Sequence, residues 1–189
     1  VDPVRGRIAF PTGAAPASVQ VSYVYAFGGD LGAGPYDRAA WLQDPATMPG
    51  PLGNPHRWQA AVSHSLPPVA GLVFASFDEA IQAWNAKPAG TDGVITILDS
   101  LSYREDPRQI EIPEASRLLI VAADWPAVRH NPVANNSLDA NGLRPHLQGQ
   151  LKVHGSAPAA STNPGQLFID GLLIEGGIAV AAGNLGTLA

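Results

Sequence analysis

Cysteine is absent from the 189-residue chain, which excludes disulfides and thiolate metal sites. Charge is scarce: 14% of residues are charged against 46% hydrophobic, a balance that argues against intrinsic disorder. The 11 Lys and Arg are outnumbered by 16 Asp and Glu, for a formal net charge of -5, and no stretch concentrates the basic residues. A nucleic-acid partner is therefore not expected, because phosphate binding needs clustered Lys and Arg. No apolar run approaches the roughly 20 residues of a membrane-spanning helix. The longest, "VAGLVFASF", is far shorter, so no membrane span is expected. The opening "VDPVRGRIAF" lacks the positive-then-apolar pattern of a signal peptide. Long helical patterns are few, whereas Gly (20) and Pro (18) are plentiful, which suits many turns joining short strands. The length allows one domain with a core, or one domain and a small appendage.

Two regions differ in character. In residues 1–75, "RIAF" at 7–10 and "SVQVSYVY" at 18–25 read as strands, the second with a period of two. Residues 26–57 are rich in Gly, Pro, Asp and Asn and read as a long irregular loop, a kind of segment that usually carries function or an interaction. "RWQAAVSHS" then alternates again, with Trp58, Ala60, Val62 and His64 on one face. From residue 76 the signals sharpen. Ser76 and Glu79 form a capping box. Phe77, Ala80, Ile81 and Trp84 make one apolar stripe, with Lys87 in the last turn and Pro88 and Gly90 as stops, which predicts a helix over 77–87.

Short strands follow at 93–98, 109–112, 117–121 and within 147–155, and then a staccato of brief apolar runs to the end. Ile97 to Ile120 and Leu151 to Leu172 recur at about 21 to 23 residues, the length of a solenoid coil. Ala122 to Pro145 breaks the period and reads as a projecting loop. A solenoid has two open ends, and the helix over 77–87 suits the first as a cap. "GNLGTLA" carries no polar cap, which leads to the expectation of a continuing β-helix or a covering partner chain at that end.

The order "SFDEAIQAW", "GVITILDSLSYRED", "RLLIVAAD" resembles the start of a right-handed parallel β-helix of the pectate-lyase-like superfold. There a capping helix precedes a "G-x-I-x-I" strand and a turn with "Y-x-E", positions held here by Gly93, Ile95, Ile97, Tyr103 and Glu105. The resemblance covers 76–189 and implies a mostly β fold: a small N-terminal β segment, a capping helix and β-helix coils. It is poorly specific for function, because lyases, hydrolases, tailspikes and inert adhesins share the architecture. The front of the chain, "VDPVRGRIAFP" and "VQVSYVYAFGGDLGAGPYDR", resembles uncharacterised bacterial proteins of contractile phage tails and phage-tail-like particles. That likeness implies a structural part of a bacterial or phage particle, with other protein subunits as partners. The particle would be assembled in the cytoplasm or displayed outside the cell.

No complete catalytic motif is present. The stretch "AFGGDLGAGPYDRAAW" lacks the Gly-Lys-Ser/Thr of a phosphate loop, the spacing of a dinucleotide loop and the ligand register of an EF-hand. Its Asp30, Tyr36, Asp37, Arg38 and Trp41 are instead candidates for meeting a protein surface, and Trp125 in the projecting loop is a candidate exposed aromatic. His56, His64, His130, His146 and His154 show no metal-ligand spacing, and "HGSAP" is no nucleophile elbow. No cofactor or metal is expected. Acidic residues after successive strands, namely Asp99, Glu105, Asp106 and Asp124, are the candidates for catalysis, with Asp170 and Glu175 further along. Asp99 and Asp124 stand about one coil apart. Arg104, Arg117 or Arg129 would serve as base or clamp on a polysaccharide, the alternative partner. The plain reading of such turn residues is polar and solvated, which favours a non-catalytic structural and interaction module over a carbohydrate-active or carbohydrate-binding β-helix.

Overall fold

The computed structural model describes Gly13 and residues 57–125, 128, 138–139 and 142–189. The strands expected over 7–10 and 18–25, the loop after them, and Asp30, Tyr36, Asp37, Arg38 and Trp41 lie outside the described residues.

The described chain is mostly β. It opens with β1 (Arg57–Val62) and β2 (Val73–Phe74), then helix α1 (Phe77–Asn85). After these come β3 (Asp92–Ile97), β4 (Ser102–Tyr103), β5 (Ile110–Ile112), β6 (Arg117–Ala122), β7 (His146–Leu147) and β8 (Leu151–Gly155). The last strands are β9 (Gly165–Asp170), β10 (Leu173–Ile174), β11 (Ile178–Val180) and β12 (Leu185–Leu188). Pairing between these strands is parallel throughout. They form a long sheet, ordered β12-β9-β6-β3-β1-β2, and two short ones, β10-β7-β4 and β11-β8-β5. From β3 onward the chain visits the long sheet, then each short sheet, and repeats, an order compatible with a β-helix solenoid.

The register corrects the spacing expected from sequence. Ile97 pairs with Ala122, two residues beyond Ile120, and Leu151 pairs with Ile178 instead of Leu172. Ile95 lies opposite Ile120 and Ile120 opposite Ile169, so the second step is about twice the first. The extra length is the segment after β6, as its interruption of the period predicts.

Alternation places Ile95, Ile97, Tyr103, Ile110, Ile112, Leu118, Ile120, Leu147, Leu151, Val153 and Leu167 in one core. The long sheet is also buried on its other face. Val94, Leu119, Val121, Ala123 and Phe168 pack there with Leu138, and Ala61, Val73, Leu98 and Trp125 form an adjoining cluster. Burial on both faces is why "RLLIVA" reads as an unbroken apolar run.

Helix α1 starts as its capping box predicts: the Ser76 hydroxyl accepts from the Glu79 amide at 3.2 Å. The Glu79 carboxylate reaches back to the Ala75 amide, one residue before the cap. The helix stops at Asn85, so Lys87 is beyond its last turn. Lys87 instead places its ammonium 5.4 Å from the Trp58 ring centroid, where the π face attracts a cation. Phe77, Ala80, Ile81 and Trp84 are buried in the core cluster, so α1 packs its apolar stripe against the strands. No helix among the described residues is long and apolar enough to cross a membrane.

Candidate functional site

Asp99 follows β3 and is 7% exposed. Its Oδ2 accepts from the Ser63 hydroxyl and the His64 amide, both at 2.8 Å, and from the Ser65 hydroxyl at 3.2 Å. Its Oδ1 accepts from the Tyr103 hydroxyl at 2.8 Å and the Leu101 amide at 3.2 Å. Burial raises the pKa of this carboxyl, but the bonds from Ser63, Tyr103, His64 and Leu101 outweigh it and hold the group below the usual aspartate range. The Tyr103 phenol is pushed far above its usual value, first by burial and then by its bond to Asp99 and that residue's charge. The His64 ring lies 4.2 Å, centroid to centroid, from Tyr103. Asp99 therefore ties the end of β1 to the turn between β3 and β4. An acid so fully engaged has no lone pair directed at a substrate proton.

Glu105 sits just past β4 and points at the start of α1. Its Oε1 accepts from the Phe77 amide and its Oε2 from the Asp78 amide, each at 2.9 Å. Those amides belong to the first turn, where helix donors lack internal partners and the dipole favours an anion. Arg108 clamps Asp78 alongside, with Nη2 at 2.6 Å from Oδ2. Asp106 accepts from the Gln150 amide at 3.1 Å and so holds the next rung. Gly149 lies directly beneath Glu105, and a Cβ there would overlap the Glu105 carbonyl oxygen. Arg104, Glu105, Asp106, Gln148 and Gly149 line an open polar groove of about 440 Å³.

Asp124 is placed differently. It stands two residues past Ala122, beyond the end of the β3–β6 ladder, and its backbone bridges antiparallel to Asp139 at 2.6 and 2.9 Å. Glu175 meets His146 and Gln148, each at 3.3 Å, beside the groove. Arg117 stands in register with Asp92 and Arg57 on the long sheet, and its guanidinium lies 5.7 Å from the Phe168 ring centroid. Burial pushes the Arg57 guanidinium down to about 10, with Asp92 opposing the shift and Arg117 adding to it. Arg129, His56 and His130 lie outside the described residues. Trp125 corrects an expectation: it is 4% exposed, packed with Ala61, Val73 and Leu98, because the outer face of the long sheet offers its ring an apolar surface three residues past β6.

Sequence reasoning missed the second face of the long sheet and the cross-rung pair of His154 and Glu111 at 2.7 Å. The first had a signal: Leu119 and Val121 are as apolar as Leu118 and Ile120, so both faces need cover. The second had none, since the residues are brought together only by rung stacking. Among the described residues, no group of three or more His, Asp or Glu side chains is placed to hold a metal ion. No protein-family model, curated protein or solved structure matches the chain.

Proposed function

We propose that this chain is a non-catalytic structural and interaction module: a right-handed parallel β-helix of the pectate-lyase-like kind, serving a phage-tail-like or cell-surface particle. One observation carries the reading. Asp99, Glu105 and Asp106, the acids best placed by sequence for chemistry, are each spent on backbone or core hydrogen bonds that hold the fold. The residues of the superfold pattern also have architectural duties. Gly93 leaves room for the Trp84 ring, Ile95 and Ile97 fill the core, Tyr103 anchors Asp99, and Glu105 caps α1. The particle setting rests on the likeness of residues 1–38 to particle-associated proteins.

A second reading, polysaccharide binding, is favoured by the groove of about 440 Å³ with Arg104, Asp106 and Gln148 at its walls. A glycan array, with parallel assays for reducing ends and unsaturated products, separates the two. The structural reading expects no product from any polysaccharide and no array signal above background. A signal lost in Arg104→Ala would replace it with the binding reading, and released product would overturn both.

A further inference from the structure

His146 and Gln148 flank Leu147 at β7, and Leu147 is buried in the core, so by strand alternation the other two side chains point outward. On the next rung the Glu175 amide continues the ladder, donating to the Leu147 carbonyl at 2.9 Å. Ile174 packs against the core, so Glu175 points outward as well. Glu175 Oε2 lies 3.3 Å from His146 Nε2 and 3.3 Å from Gln148 Nε2. Rung stacking alone brings these three residues to one spot.

A separation of 3.3 Å is long for an imidazole–carboxylate hydrogen bond. It suits two ligands of one tetrahedral metal ion. Zinc binds His nitrogen at about 2.0–2.1 Å and carboxylate oxygen at about 2.0–2.2 Å, so two such donors at the tetrahedral angle stand about 3.4 Å apart. At the right angle of an octahedral ion they would be about 3.0 Å apart. The other imidazole–carboxylate pair makes the contrast: His154 Nδ1 and Glu111 Oε2 are 2.7 Å apart, a hydrogen bond too short to share a metal. Gln148 supplies a third donor when its carboxamide turns over, which puts Oε1 where Nε2 stands.

We propose that His146, Gln148 and Glu175 form a zinc site that staples the β7 rung to the β10 rung from outside. An imidazole nitrogen, a carboxylate oxygen and an amide oxygen hold the ion, and water takes the fourth position. Calcium and magnesium prefer all-oxygen sets with six or more ligands, whereas one nitrogen donor at tetrahedral spacing suits zinc. The ion has direct access from solvent, since the His146 and Glu175 side chains are 32% and 62% exposed. Arg104 and Asp106, which line the adjoining groove, are opposite in charge and offset each other. The site is independent of the particle setting and of polysaccharide binding.

Calorimetric titration of the chelator-treated chain with zinc chloride tests it, with cobalt(II) as a spectroscopic stand-in. His146→Ala and Glu175→Gln are each expected to weaken zinc binding at least tenfold. Gln148→Glu, which exchanges the amide for a carboxylate, should tighten it at least tenfold. His154→Ala, at the short pair, should bind zinc as wild type does. The cobalt form of the wild type should show the intense visible absorption of tetrahedral coordination. Zinc should also raise the urea midpoint of wild type and leave that of His146→Ala in place. If His146→Ala does not fold, Glu175→Gln, an exposed and conservative change, is read in its stead. Zinc affinity that is unchanged in the folded His146 or Glu175 variant overturns the proposal. So does a Gln148→Glu variant no tighter than wild type, a loss in His154→Ala, an octahedral cobalt spectrum or a wild-type midpoint that zinc does not move.

Discussion

Asp99→Ala is expected to lower unfolding stability by roughly 3 kcal/mol or more, read as a drop in the urea midpoint at unchanged slope. The reason lies in what remains behind. The Tyr103 hydroxyl, in a residue 2% exposed, loses its acceptor, and the Ser63 hydroxyl, in a residue 1% exposed, keeps only the Ser65 oxygen at 3.1 Å. Each stranded buried donor costs about 1–3 kcal/mol. The backbone amides of His64 and Leu101 lose theirs as well, at the more exposed edge of the turn. Asp99→Asn keeps the volume but presents a donor to a ring of donors, so most of the loss should persist.

The same carboxylate predicts a pH dependence. Its pKa is lower folded than unfolded, so its contribution is fully present above the unfolded value of about 3.9. That contribution is lost as pH falls from there through the folded value. The gap in midpoint between wild type and Asp99→Asn should therefore be constant across neutral pH and narrow on acidification. A gap that widens in acid would contradict the assignment.

Trp84→Ala is expected to cost about 3–5 kcal/mol, the range for removing a large buried aromatic. Trp84 is 2% exposed and packs on Trp58 with ring centroids 5.9 Å apart. It also covers Gly93, where a Cβ would collide with its ring. Trp84→Phe separates packing from hydrogen bonding: it keeps a ring and loses the Nε1–H bond to Glu111. That variant should cost far less, about 1–2 kcal/mol. Equal losses for the two substitutions would mean that the indole N–H, and not the filled volume, holds α1 in place.

What was legible in the sequence is what depends on near neighbours along the chain. The cap at Ser76 and the stripe from Phe77 to Trp84 rest on spacings of three and four, and the structure has both. The strands at β3, β5, β6 and β8 rest on alternation and on turn residues between them. The partners of the acids were not legible, because rung stacking brings them together: Ser63 and Asp99 are 36 residues apart in sequence, and Phe77 and Glu105 are 28. The same holds for Trp125. An aromatic in a Pro-containing loop looks exposed until the apolar side chains Ala61, Val73 and Leu98 on the outer face of the long sheet are counted, and then it has somewhere to go. A coil repeat estimated from like residues slips by a residue or two, because only the register of the backbone ladder fixes it.

The most direct measurement sets stability against chemistry at one residue. Glu105→Gln retains the shape of the side chain but loses the charge that faces the first turn of α1. Urea unfolding of this variant beside wild type, with both incubated on a polysaccharide panel, gives two readouts from one pair of proteins. The structural account predicts a loss of about 1–2 kcal/mol for Glu105→Gln and no released product from either protein. Wild-type cleavage of a polysaccharide, abolished in Glu105→Gln at unchanged stability, would contradict it.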